Sequence, residues 1–221
     1  MLGTLRRRAL VAAAAVAFVP TLAIAQTTTF TSLAAWTAAL AGGAQGLDTF
    51  NDLPGSARPS PLNRTAGGFS YRASVTNPVP GGSTDFFPAG TAADRWLSTD
   101  AALASIVFSN FSPGTQALGG AFFGSNILGN FQAGNIAISW VTSLGSGSVT
   151  LNNPAVASFW GIVTTGTLTS VTVSAVQPTG SNLWPTVNDL RLGTVVPEPS
   201  TYALMATGLA GLAAVRRRRK A

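Results

Sequence analysis

The chain contains no histidine and no cysteine, and its single lysine, Lys220, is the penultimate of 221 residues. These absences remove most side-chain chemistry. Ser-His-Asp and Cys-His nucleophile systems have no base, a His/Cys zinc site has no ligands, and a lysine Schiff base has no amine in the body of the chain. Without cysteine there are no disulfides, so stability must come from core burial. Charge is also scarce, at 9% of residues, and the only glutamate is Glu198. Carboxylate chemistry from six aspartates is what this filter leaves.

The net charge of +6 would suggest an anionic partner if it were spread over the chain, but it sits at the ends. Arg6, Arg7 and Arg8 lie near the start, and Arg216, Arg217, Arg218, Arg219 and Lys220 lie near the finish. Between them, Arg58, Arg64, Arg72, Arg95 and Arg191 face Asp48, Asp52, Asp85, Asp94, Asp100 and Asp189. That middle is slightly acidic, which argues against a nucleic-acid partner.

Both charged ends flank apolar runs. Arg6 to Arg8 precede the run Ala9 to Val19, then Pro20 and the small-residue site Ala23-Ile24-Ala25. That order of basic flank, apolar stretch and Ala-x-Ala predicts a secretory signal over residues 1–25, cut by signal peptidase before Gln26. The residues after the arginines favour the general secretory route over a twin-arginine one. At the other end, Val196-Pro197-Glu198-Pro199 precedes the apolar stretch Ser200 to Val215 and then the five basic residues. Prolines on both sides of Glu198 disfavour helix and strand, which keeps this segment extended and accessible. A helix over the following stretch spans roughly 24 Å against a bilayer core of about 30 Å, so snorkelling arginines or local thinning must close the gap. The basic cluster stays cytoplasmic, which puts the body on the far side of the membrane.

These three ordered parts, the Pro197-Glu198-Pro199 motif, the Ala/Leu/Gly-rich stretch with Gly208 and Gly211, and Arg216 to Lys220, resemble the PEP-CTERM sorting domain over residues 196–221. The resemblance implies an exosortase that recognises the motif, cleaves near it and passes the protein to the surface or extracellular matrix of a Gram-negative bacterium.

Residues 26–195 suffice for one domain with a sizeable core, and no linker or fixed-period repeat divides them. One helix is expected early, capped by Ser32, carrying Leu33, Trp36 and Leu40 on one face and ending at Gly42-Gly43. Short β-branched and aromatic runs follow. Asn135 to Thr142 alternates, and Gly145-Ser146-Gly147 is expected to turn it into Val149 and Leu151. Ala157 to Thr164, Thr167 to Val176 and the runs around Phe69-Tyr71, Ile106-Phe108 and Ala117-Phe123 continue the pattern. The expectation is an all-β, antiparallel sandwich, jelly-roll-like, with one short N-terminal helix. Three segments are similar to bodies that accompany PEP-CTERM tails: Phe30 to Trp36 leading to Leu47-Asp48-Thr49-Phe50, Phe159-Trp160-Gly161-Ile162, and Val187 to Gly193. That resemblance implies a sandwich of unassigned activity.

Within the body, the six aspartates lie in no recognisable catalytic motif, and a carboxylate-pair glycosidase ranks below the reading that they cap turns or pair with arginine. Asp48, Asn51 and Asp52 with Asn188 and Asp189 offer hard oxygens for calcium if the two regions meet, but their spacing matches no known loop, so neither metal nor cofactor is expected. Trp140 and Trp160 belong in the core. Trp96 is a further aromatic candidate, and Trp184, between Leu183 and Pro185, is the tryptophan best placed for exposure. The threonine-rich stretches Thr27 to Thr31 and Thr164 to Thr172 lack the fixed period of an ice-binding face. The sequence thus indicates an exported surface protein without catalytic activity, with extracellular polysaccharide as the alternative partner.

Overall fold

The computed structural model describes residues 26–196, 205–212 and 216. Fourteen elements follow in order: β1 (Thr27–Phe30), α1 (Leu33–Ala39), β2 (Gln45–Asp48), β3 (Leu62–Ala66), β4 (Phe69–Thr76), β5 (Phe86–Gly90), β6 (Arg95–Thr99), β7 (Ser105–Ser109), β8 (Ala117–Ser125), β9 (Ile136–Thr142), β10 (Gly145–Leu151), β11 (Phe159–Thr164), β12 (Leu168–Ala175) and β13 (Trp184–Gly193). All strand pairs are antiparallel. One sheet runs β1-β11-β8-β13-β6-β5, with β2 also on β13, and the other runs β10-β9-β12-β7-β4-β3.

Alternation explains how the two sheets close. In β4, Phe69, Tyr71, Ala73 and Val75 point inward while Ser70, Arg72 and Thr76 face water. Ile106 and Phe108 of β7, Ile136 and Ile138 of β9, and Val171 and Val173 of β12 do the same. They meet Leu118 and Phe122 of β8, Trp160 and Ile162 of β11, and Val187, Leu190 and Leu192 of β13 in one continuous core. The β3–β4 hairpin turns through Gly67-Gly68, where Gly67 takes φ +57°, a conformation that favours glycine in a two-residue turn.

The helix lies on the outer face of the first sheet. Ser32 caps it, Trp36 is fully buried, and the Trp36 indole Nε1 donates to the Ile162 carbonyl at 3.2 Å. Trp36 packs with Leu40, Ala117 and Val163, and its ring meets Phe159 edge-on at 6.0 Å. Leu33 is 37% exposed and lines a shallow cleft with Ala121, Val156 and Phe159. One sequence expectation needs correction. Gly145 to Gly147 lie inside β10 rather than forming the turn, since Gly145 already pairs with Thr142 and the reversal falls on Ser143-Leu144. Of the three segments compared above with PEP-CTERM bodies, the second and third lie beside the first: Trp36 reaches Ile162, and Asp48 pairs with Leu190.

Candidate functional site

A cleft of about 600 Å³ opens where the two sheets meet at β2, β3 and β4. Asp48 ends β2 with its side chain inward, and Arg64 occupies an inner-facing position of β3 between Leu62 and Ala66. Their contact is bidentate: Arg64 Nε donates to Asp48 Oδ2 at 2.7 Å and Nη2 to Oδ1 at 2.7 Å. The same carboxylate accepts from the Tyr71 hydroxyl at 2.7 Å and from the Phe50 N–H at 3.0 Å, the latter closing a tight turn in which Phe50 adopts φ +61°. Arg64 also reaches Asp52 through Nη2 at 2.6 Å, and its guanidinium lies over the Phe50 ring at 5.2 Å from the centroid.

The electrostatics follow from this geometry. Burial pulls the Arg64 guanidinium down, but its bonds to Asp48 and Asp52 outweigh that and hold it well above its ordinary value. Burial and the adjacent Asp48 charge push the Tyr71 hydroxyl far above the usual phenol range. The hydrogen bond from Arg64 holds the Asp52 carboxyl below the usual range. The network ties β2 of one sheet to β3 and β4 of the other. Sequence reading paired aspartates with arginines in general terms but missed Tyr71 and the inter-sheet role. The available signal was an arginine on the apolar face of an alternating strand.

Three of the residues weighed for calcium have their oxygens committed elsewhere: Asp48 and Asp52 hold Arg64, and Asn51 Oδ1 accepts from the Arg95 N–H at 2.7 Å. Asn188 Nδ2 donates to Asp94 Oδ1 at 3.1 Å, while its Oδ1 is buried without a hydrogen-bond partner among the described residues. Their two regions do meet, since β2 pairs with β13, yet no group of three or more Asp, Glu, His or Cys fit to hold a metal occurs among the described residues. Asp189 sits at a bulge of β13 with φ +51°. Burial pushes its carboxyl up, Arg191 pulls it back, and Asp94 adds a further push.

The tryptophans divide as follows. Trp160 is core, and half-buried Trp140 packs against it with ring centroids 5.6 Å apart. Trp96 is buried beside Phe123, its indole donating to Asp94 Oδ2 at 3.0 Å. Trp184 is half-buried and lines a separate pocket of about 280 Å³ with Phe87, Asp100 and Asn126.

Both junctions with the terminal segments leave from one end of the first sheet. Gln26 donates its backbone N–H to Thr165 Oγ1 at 3.1 Å and accepts from the Thr165 N–H at 3.0 Å. Val195 N–H donates to Gln116 Oε1 at 3.0 Å, while Gln116 Nε2 contacts the Thr165 carbonyl at 3.4 Å, so one glutamine touches both junctions. Ala23, Ala25, Pro197, Glu198, Pro199, Arg217, Arg218, Arg219 and Lys220 lie outside the described residues. Residues 205–212 are helical and exposed, Arg216 is helical and exposed, and no helix among the described residues is long and apolar enough to cross a membrane.

No curated protein matches the chain. Residues 195–219, which begin where Gln116 holds Val195, match the PEP-CTERM protein-sorting motif, so this is a PEP-CTERM domain-containing protein whose tail marks it for exosortase sorting and export.

Proposed function

We propose that this protein is a non-catalytic β-sandwich displayed at the surface or in the extracellular matrix of a Gram-negative bacterium. The sorting-motif match over residues 195–219 carries that reading. Signal peptidase removes residues 1–25 and frees Gln26. The apolar stretch Ser200 to Val215 holds the precursor in the membrane, with Arg216 to Lys220 retained on the cytoplasmic side. Exosortase then cuts near Pro197-Glu198-Pro199. The closeness of the two junctions supports this route, because both apolar segments can reach one membrane while the sandwich stands clear of it.

A non-catalytic body is supported by the state of the aspartates in the Arg64 cleft. A glycosidase acid needs a carboxyl raised toward neutral pH, whereas Asp52 is lowered and Asp48 accepts four hydrogen bonds. The test is intact mass of the protein from membrane and culture-supernatant fractions, with and without the exosortase. We expect a species starting at Gln26 and ending near Pro199 only when the exosortase is present. A membrane species that retains Arg216 to Lys220 under both conditions would overturn the sorting claim.

A further inference from the structure

We propose that the pocket at the Trp184 end of β13 binds one ring of a neutral saccharide. Its walls combine two chemistries. Trp184, Phe87 and Ile127 supply apolar surface, and Asp100, Asn126 and Ser125 supply polar groups. No cationic side chain lines it, which disfavours a phosphate, sulfate or carboxylate ligand. A volume of about 280 Å³ lies at the small end of ligand pockets and suits a single ring rather than an extended chain.

The polar groups are available for a polyol. Trp184 Nε1 donates to the Asp100 carbonyl at 3.3 Å, which fixes the indole edge. The Asp100 carboxylate has no partner among the described residues, so both oxygens can accept from hydroxyls. Asn126 Oδ1 accepts from the Leu128 and Asn130 N–H groups at 2.9 and 3.1 Å, which orients the amide and leaves Nδ2 free to donate. An acceptor beside a donor, with an aromatic face near them, matches vicinal hydroxyls on a ring whose C–H face is apolar.

The floor adds a third group. Ser98, Ser125 and Thr186 form a buried hydroxyl cluster from β6, β8 and β13. Thr186 donates to Ser125 Oγ at 2.7 Å and Ser98 donates to the Pro185 carbonyl at 3.0 Å. The remaining hydrogen, on Ser125, has only a 3.4 Å contact with Ser98 inside the protein. Buried hydroxyls are costly without good partners, and a ligand oxygen in the pocket would complete the set. The location is also apt: β13 carries the pocket at Trp184 and leads to the sorting tail at its other end, roughly 30 Å away at about 3.3 Å per residue.

The test is a ¹H–¹⁵N NMR titration of the exported, processed protein with the methyl pyranosides of glucose, galactose, mannose and N-acetylglucosamine. For one ring we expect a Kd on the order of millimolar, with shifts at the Trp184 indole and the Leu128 and Asn130 amides. Trp184→Ala and Asp100→Asn should each weaken binding at least about tenfold. Asp100→Asn removes no intramolecular side-chain bond, so its spectrum should otherwise match the parent. No shift with any of the four sugars up to about 50 mM would overturn the proposal. So would binding indifferent to both substitutions, or equal shifts with cyclohexanol, which would mark a merely apolar cavity. The shifts are read at residues of the sandwich and the full chain can be titrated equally well, so failure here leaves the intact-mass outcome untouched.

Discussion

Replacing Asp48 by Asn keeps the side-chain shape but removes the charge on which Arg64 is seated. Asp48 and Arg64 have side chains only 4% and 11% exposed, so the pair is largely desolvated. Breaking such a pair by removing one partner costs about 3–5 kcal/mol, and the lower end applies here because Arg64 retains Asp52. With a urea m-value of about 2 kcal/mol/M for a domain of this size, ~3 kcal/mol lowers the unfolding midpoint by about 1.5 M with no change in slope. Asp52→Asn serves as the internal control: its side chain is 73% exposed, and an exposed pair is worth at most about 1 kcal/mol. The assay is equilibrium urea unfolding of the exported, processed protein, followed by tryptophan fluorescence. A midpoint shift below about 0.5 M for Asp48→Asn, or equal shifts for the two variants, would refute the inter-sheet clamp.

Other outcomes follow from the same geometry. Because the Asp52 carboxyl is lowered on folding, its stabilisation is present above its ordinary value of 3.8 and lost as pH falls further, so the melting-temperature gap between parent and Asp52→Asn should close in acid. Asp189 is raised on folding and has the opposite sign: its ionisation costs stability at neutral pH, so Asp189→Asn should melt higher than the parent at pH 7, with the difference vanishing below about pH 4. A methyl group at Gly161 would meet Trp36 Cδ1 at 2.6 Å, so Gly161→Ala should cost about 1–3 kcal/mol and perturb the near-ultraviolet circular dichroism of the fully buried indole. Glu198→Ala should leave the precursor uncut in the intact-mass assay while its sandwich melts as the parent does.

The sandwich was legible because its inner strands alternate. Ile136, Ile138 and the Val171/Val173 pair announce a buried face within a few residues, and Ser32, Trp36 and Leu40 announce the helix by cap and spacing. The short strands β2, β5 and β6 were hidden: Gly46 interrupts β2, Pro88 and Gly90 interrupt β5, and β6 does not alternate because four of its five residues are buried. Long-range partnerships were equally hidden: Asp48 lies 16 residues from Arg64 and 23 from Tyr71, and no local rule joins them. Trp184 could be singled out by its proline neighbour, but Phe87 and Asp100 come from other strands and loops, so the pocket around it appears only once β5, β6, β8 and β13 are assembled. The sorting motif was fully readable because it is linear, with recognition residues, apolar run and basic cluster in one stretch.

The placement of β13 has a mechanical consequence. The strand is interior to its sheet, hydrogen-bonded along one side to β8 and on the other to β2 and β6, and it runs from the Trp184 pocket to the tail. Tension between something gripped at the pocket and an anchor at the tail acts along the strand axis. Antiparallel hydrogen bonds lie perpendicular to that axis, so the whole ladder is sheared together instead of opening one rung at a time. Pulling on Gln26 would instead strip β1, a four-residue strand at the sheet edge, from β11. Of the two ends of the sandwich, the one next to the sorting tail leaves from a strand paired on both sides, and the one at Gln26 from a strand paired on one.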